Sequence, residues 1–237
     1  MSFFHFKHFS VFQEGNVHKV GTDAMLLGAF LHHESPKFIL DIGAGTGVLS
    51  LIAGHRFPNA TIKSVEKEAA AFALLEKNIQ QSPFYRNIFP VNCSIADFSH
   101  HGQFDLIISN PPFFSHSWQA PNATRNTARH TAELSIADWL NLAAVHLAKN
   151  GVFWFVFPAD RDAEIQQISL EIGWSPVAKI AIYGKPHALI RYIYAFSLVK
   201  MVREIRTESL TIRDENGKYT ENYKILTKDL HQDIGTL

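Results

Sequence analysis

The chain has 237 residues, 46% hydrophobic and 19% charged, enough to bury one substantial core and ordinary for a globular protein. Its 22 Lys plus Arg balance 22 Asp plus Glu, so any affinity for nucleic-acid phosphates must come from a local cluster and not from net charge. The single cysteine, Cys93, excludes an intrachain disulfide framework and a cysteine-rich zinc site, and no run approaches the ~20 apolar residues that cross a bilayer.

In chain order, the aromatic start Met1-Ser2-Phe3-Phe4-His5-Phe6-Lys7-His8-Phe9 lacks the continuous apolar stretch and small-residue cleavage site of a targeting segment. Thr22-Asp23 precedes a periodic apolar run over 24–31 and is expected to cap a helix. Phe38-Ile39-Leu40-Asp41-Ile42 then reads as a strand running into Gly43-Ala44-Gly45-Thr46-Gly47 and a helix begun by Val48, Leu49, Leu51 and Ile52. The spacing Gly-x-Gly-x-Gly differs from the Gly-x-Gly-x-x-Gly that places a pyrophosphate on a helix N-terminus. Asp41 points the same way, because a carboxylate at a strand end repels phosphate and suits a cation such as the amino and sulfonium groups of S-adenosylmethionine.

Glu66 ends the next strand, over 61–65, at the distance past a glycine turn where an acid can hold two ribose hydroxyls. Asp97, beside Phe98, follows a strand over 88–92 and the segment Cys93-Ser94-Ile95-Ala96, placed to accept from an adenine amine or, alternatively, to cap a helix.

The strand Phe104-Asp105-Leu106-Ile107-Ile108-Ser109 runs into Asn110-Pro111-Pro112-Phe113, where the prolines end its ladder. The Asn110 side-chain carbonyl and the Pro111 backbone carbonyl can both accept from one exocyclic NH2, and Phe113 offers a ring on which the attached planar group stacks. Two acceptors on those hydrogens favour a pyramidal nitrogen whose lone pair meets an electrophile, so no strong base is required. The competing reading is that Pro-Pro only ends a strand and Phe113 packs in the core.

Helices are expected over 68–81, 135–149 and 160–172, with Gly151 and Gly173 just past the last two. Strands follow over 152–157, 177–183 and 191–200, the last two an antiparallel pair at the sheet edge joined through Gly184-Lys185-Pro186. From Glu204 the pattern is strand-like, Asn216-Gly217 marks a hairpin turn, and 223–230 resumes a helical rhythm. Alternating strands and helices predict an α/β fold, a mostly parallel sheet covered on both faces.

The Asp-x-Gly-x-Gly-x-Gly turn, Glu66, Asp97 and Asn-Pro-Pro-Phe, in this order, resemble the class I S-adenosylmethionine-dependent methyltransferases of the amino-methylating Asn-Pro-Pro-Phe/Tyr type, over residues 15–200. That resemblance implies a single Rossmann-like domain with a seven-stranded sheet and an antiparallel edge strand. Its parts would be a segment 1–35 covering cofactor and substrate, a core 36–200, and a C-terminal hairpin and helix 201–237.

The segment from Phe12 through Gly15, Lys19, Gly21, Thr22 and Asp23 to Gly28, the stretch Arg125-Asn126-Thr127-Ala128-Arg129-His130 and the C-terminal tail are similar to the bacterial tRNA(Val) adenine-N6 methyltransferases. Those enzymes act on the adenosine just 3′ of the anticodon. The resemblance implies that Lys19, Gly21, Thr22 and Asp23 shape the methionine end of the cofactor site, with Asp41, Gly43 and Gly45 as its floor. It also implies Glu66 on the ribose, Asp97 at the adenine, Asn110, Pro111, Pro112 and Phe113 around the target base, and Arg125, Arg129 and His130 on RNA.

Rival activities are guanine-N2 methylation of ribosomal RNA, whose enzymes often carry an additional domain, and glutamine-N5 methylation of release factors, whose enzymes carry Tyr in the fourth position and a helical N-terminal domain. A non-catalytic binding module on the same fold is a third, opposed by the intact Asn110 to Phe113 motif. Cys93 lies outside any Pro-Cys motif, which opposes carbon-5 pyrimidine methylation. Thirteen histidines, including the pairs His32-His33 and His100-His101, form no His-Glu-x-x-His, so no metal is expected. Besides Arg125, Arg129 and His130, a second basic cluster is Lys200, Arg203 and Arg206 near the end of the sheet, balanced by Glu204 and Glu208. The chain is expected to be a cytoplasmic monomer that binds tRNA and no membrane.

Overall fold

The computed structural model describes residues 2–14, 20–111, 135–199 and 204–231. Its elements are β1 (Ser2–His5), β2 (Ser10–Gln13), α1 (Thr22–Phe30), β3 (Phe38–Ile42), α2 (Val48–Arg56), β4 (Thr61–Glu66), α3 (Ala69–Gln80), β5 (Ile88–Asn92) and β6 (Phe104–Ser109). Then come α4 (Ile136–His146), β7 (Leu147–Pro158), α5 (Asp162–Glu171), β8 (Ser175–Tyr183), β9 (Leu189–Ser197), β10 (Arg206–Thr211) and α6 (Glu221–Thr227).

Eight strands form one sheet in the order β10-β8-β9-β7-β6-β3-β4-β5. Only β9 runs against its neighbours, β7 and β8; every other pair is parallel. This is the expected α/β architecture with one strand added. The addition is β10, which pairs with β8 from Arg206↔Ala178 to Thr211↔Tyr183 and so covers the outer side of the β8–β9 pair. It is the strand-like segment read from Glu204, and only Leu210 of its six residues is buried.

Period-2 alternation divides the core between the two faces. Ile39, Leu106, Ile108 and Trp154 pack with α1 and α2, whereas Leu40, Ile107, Phe153 and Phe155 pack with α4 and α5. Helix α4 starts at a capping box: the Ser135 Oγ accepts from the Asp138 N–H at 2.9 Å, and the Asp138 carboxylate accepts from the Ser135 N–H at 3.3 Å.

That helix stops at His146 and not at 149, and β7 begins at Leu147. The sheet claims these residues because Leu147 pairs with Phe104, after which the register jumps to Leu106↔Val152. Gly151 therefore does not stop a helix. A Cβ there would lie 2.9 Å from the Phe104 carbonyl oxygen, so the residue lets β7 approach β6.

The aromatic N-terminus forms an antiparallel ribbon, β1 with β2. Phe6 and Phe9 stack at 4.5 Å, and the Lys7 N–H donates to the Leu230 carbonyl, which ties this ribbon to the end of the described chain. Asn216-Gly217 makes the expected turn, with Gly217 at φ 80°. It leads to an isolated bridge, Arg213↔Tyr219, and then directly to α6, capped by Thr220.

Candidate active site at the carboxyl edge of the sheet

The chain leaves β3 outward to β4 and β5, then returns to lay β6 on the other side of β3. In an open parallel sheet the carboxyl ends diverge at such a reversal and leave a ligand crevice. Asp41 pairs with both Ser64 and Ile108, so Gly43, Glu66 and Asn110, each two residues further on, end their strands at one level. Asn92 shares that level on β5, opposite Glu66. With neighbouring strands ~4.8 Å apart, the row from Asn110 to Asn92 spans ~14 Å.

Gly43 and Gly45 adopt φ 70° and 57°, where a side chain is strained, and a Cβ on either would meet no atom within 4 Å. The bare turn thus presents backbone to open space at the crevice. Asp41, completely buried, sits beneath it; its Oδ2 accepts from the Ser50 Oγ at 2.6 Å, and the Ser50 Oγ lies 2.6 Å from the Ser64 Oγ. The other oxygen, Oδ1, is buried and has no hydrogen-bond partner. Burial pushes the Asp41 carboxyl up to about 7, with Ser50 pulling it down and the nearby Glu66 charge pushing it further up.

Glu66 has a structural task that the sequence did not reveal. Its Oε2 accepts from the Gly45 N–H and its Oε1 from the Glu68 N–H, both at 2.8 Å, so it holds the glycine turn closed. Each carboxylate oxygen keeps a further lone pair for a ligand hydroxyl. Next to it, the Asn92 Nδ2 donates to the Glu66 carbonyl at 2.8 Å.

Asn110 follows the last residue of β6, and its Oδ1 is buried without a partner. Pro111 is buried beside it. Below them the Ser109 Oγ donates to the Ile42 carbonyl at 2.7 Å, fixing the end of β6 to the end of β3. Asp97 is exposed in a hydrogen-bonded turn past β5, its N–H donating to the Ser94 carbonyl; it caps no helix. Gly21, not Thr22 or Asp23, is the N-cap of α1, and no side chain caps it. Asp23 instead pairs with Arg191 of β9 at 2.9 Å.

Lys19, Pro112, Phe113, Arg125, Arg129, His130, Lys200 and Arg203 lie outside the described residues. Arg206 opens β10 opposite Ala178, at the level of Ile108 but four strands from β6, and pairs with Glu208. Ser50, Ser64 and Ser109 went unnoticed in the sequence, as did Asn78 of α3. The Asn78 Oδ1 accepts from the Phe12 N–H at 2.7 Å, and its Nδ2 donates to the Phe12 and Thr46 carbonyls, tying β2 to the glycine turn. No spacing rule signals the Asn78 contacts, because each partner is more than thirty positions away. Among the described residues no group of three or more His, Cys, Asp and Glu side chains could hold a metal, and no helix is long and apolar enough to cross a membrane.

A completely buried, unpartnered carboxylate oxygen, a bare glycine turn and the Glu66 carboxylate beside it fit a cationic nucleoside better than a phosphate. Fold and crevice together define a Rossmann-like methyltransferase, and S-adenosylmethionine is its cofactor. The chain belongs to the methyltransferase small domain family, whose model matches residues 5–173.

Among its relatives, a protein of Phocaeicola vulgatus is 35% identical over 232 residues, 97% of each chain. One of Pedobacter heparinus is 31% identical over 236 residues, 95% of this chain and 96% of the other. Both are named tRNA1(Val) (adenine(37)-N6)-methyltransferase. Among solved structures, a predicted O-methyltransferase of Agrobacterium tumefaciens superposes with TM-score 0.67 at 16% identity, covering 88% of this chain and 96% of its own. A type I restriction-modification methyltransferase subunit of Streptococcus thermophilus gives TM-score 0.57 at 21% identity, covering 92% and 53%. These two likenesses concern the fold.

Proposed function

We propose that the protein methylates the exocyclic N6 of adenosine 37 of tRNA1(Val), the nucleoside just 3′ of the anticodon, using S-adenosylmethionine. The observation that carries the amine chemistry is the Asn110 Oδ1, a buried acceptor without a partner at the strand reversal. The names of near-full-length relatives support adenine over the guanine-N2 and glutamine-N5 alternatives.

When bound, the cofactor supplies a methyl group on a cationic sulfur. In this reading Asp41 meets the cation, Gly43 and Gly45 let the backbone approach it, Glu66 accepts from the ribose and Asp97 from the adenine of the cofactor. Gly21, Thr22, Asp23 and Lys19 shape its methionine end. Asn110 and the Pro111 carbonyl accept both N6 hydrogens of the target, turning the nitrogen lone pair toward the methyl carbon, while Pro112 and Phe113 complete the base site. Positioning supplies most of the rate, and the proton leaves to solvent after transfer. Unstacking the base costs a few kcal/mol, which stacking on Phe113 offsets in part. Arg125, Arg129 and His130 contact RNA phosphates. The protein works as a cytoplasmic monomer, in one domain spanning 1–237.

The test is to incubate the protein with unmodified bulk tRNA and S-adenosylmethionine, digest to nucleosides and look for N6-methyladenosine by mass spectrometry. Product lost in Asn110→Ala is expected. Product on ribosomal RNA or on a glutamine, with none on tRNA, refutes the reading.

A further inference from the structure

The chain carries no net charge, and Arg206 of the second basic cluster lies four strands from β6 and pairs with Glu208, so RNA at the crevice calls for a surface besides Arg125, Arg129 and His130. The sheet registers show one. Asn110 follows Ser109, which pairs with Phe155; through Val156↔Ile193 and Ile193↔Ile180 the level of Asn110 continues across β7, β9 and β8. Strand β8 runs on to Tyr183, and the chain turns back through residues 184–188 before β9. At ~3.3 Å per residue the turn stands ~15 Å above Asn110, and three strand spacings place it ~14 Å to one side. The β8–β9 hairpin is therefore a wall beside the crevice. The acids Asp41 and Glu66 occupy the opposite half, on β3 and β4.

The turn of the wall is hydrogen-bonded within itself and from outside, and residues 184–191 lack carboxylates. Gly184 N–H donates to the Ala188 carbonyl at 2.9 Å and Ala188 N–H to the Lys185 carbonyl at 3.0 Å, with His187 held at φ 65°. From outside, Ile212 N–H donates to the Tyr183 carbonyl and Arg213 N–H to the Gly184 carbonyl. Residues 184–191 contain Lys185, His187 and Arg191 and no acid. Lys185 and His187 are exposed, as are the apolar Leu189 and Ile190 beside them. Arg191, lower down, pairs with Asp23. The buttressing turn adds Lys218, whose N–H donates to Asp214, together with the exposed Glu215.

We propose that this hairpin is a docking surface for the RNA strand flanking the target nucleotide, with Lys185 and His187 on phosphates and Leu189 and Ile190 against sugar or base faces. The proposal rests on the RNA reading above and goes beyond it by naming the surface. Phosphate contacts fix register without reading sequence, as a wall set to one side of a base pocket should. An exposed cation paired to one phosphate adds ~0.7 to the slope of log affinity against log salt for a single strand, which is about fivefold in affinity at ~0.1 M salt.

The experiment measures tRNA binding as a function of salt for the full chain and for Lys185→Glu, Lys185→Ala and His187→Asn, with Lys149→Glu, exposed at the amino end of the sheet, as the control. S-adenosylmethionine affinity by calorimetry and thermal melting are followed in parallel. Expected are an affinity loss of about fivefold or more and a shallower salt slope in the Lys185 variants, and a smaller affinity loss in His187→Asn, with cofactor affinity, melting temperature and the control unchanged. Wild-type RNA affinity and slope in those variants, while the parent protein binds and methylates tRNA, overturn the docking surface alone. A parent protein that neither binds nor methylates tRNA overturns the function and this surface together. A change in sedimentation without a change in RNA affinity makes the hairpin a contact between copies of the chain and also refutes the proposal.

Discussion

Replacing Asp41 by Asn should stabilise the ligand-free protein while weakening its hold on the cofactor. The Asp41 carboxyl is raised from 3.8 to about 7 by burial, so between those values the folded chain keeps a proton that the unfolded chain has released. Stability therefore falls as pH rises through this window, by about 4 kcal/mol in all, more than half of it between pH 5 and pH 8. Asn keeps an oxygen for the Ser50 hydroxyl and has no charge to bury. For a chain of this size, wild type should lose about 5–10 °C of melting temperature relative to Asp41→Asn between pH 5 and 8.

A cation beside Asp41 needs the carboxylate, so wild-type affinity for S-adenosylmethionine should fall toward tenfold per pH unit below about 7, and binding there should release a proton. The assays are melting scans of both proteins without ligand, and calorimetry in two buffers of different ionisation enthalpy. A melting difference that does not change with pH, or a cofactor affinity that stays flat from pH 5.5 to 8 and survives the substitution, would refute the reasoning.

Glu66→Ala should leave the Gly45 and Glu68 N–H groups without their acceptor and cost about 1–3 kcal/mol, together with a weaker cofactor, seen by denaturant unfolding and calorimetry. Asn78→Ala removes three buried backbone partners and should cost about 3 kcal/mol or more; a midpoint within experimental error of wild type would contradict the tie between β2 and the glycine turn. Ser135→Ala breaks the capping box and should cost about 1 kcal/mol while leaving cofactor affinity intact. Asn110→Ala should lower turnover about a hundredfold or more with cofactor affinity kept, because the oxygen it removes acts on the target amine; equal losses in both would count against that role.

What the sequence made legible were features with a local cause. The turn 43–47 needs residues at positive φ, so its glycines announce it, and Pro111-Pro112 must end a strand whatever surrounds them. Long-range effects were hidden. Lys149 continues a helical rhythm, yet pairing of Leu147 with Phe104 pulls the chain into β7 three residues early. The twofold task of Glu66 depends on Gly45 lying 21 positions away and on where β4 ends. The strands β1 and β2 have only four residues each, and the adjacent pairs Phe3-Phe4 and Val11-Phe12 break any alternation, so the N-terminal ribbon was missed. Arg206 looked well placed until the strand order set it four strands from Asn110 and paired it with Glu208, while Lys185 and His187, unremarked as a pair in the sequence, sit on the side of the crevice.

The central claim is tested most directly by single-turnover methyl transfer to two transcripts of tRNA1(Val), one with adenosine and one with guanosine at position 37, followed by nuclease digestion and mass mapping. The account predicts one methyl group on N6 of adenosine 37 in the first transcript and none in the second. Methyl transfer to another nucleoside of the first transcript, or to the guanosine of the second, would contradict it.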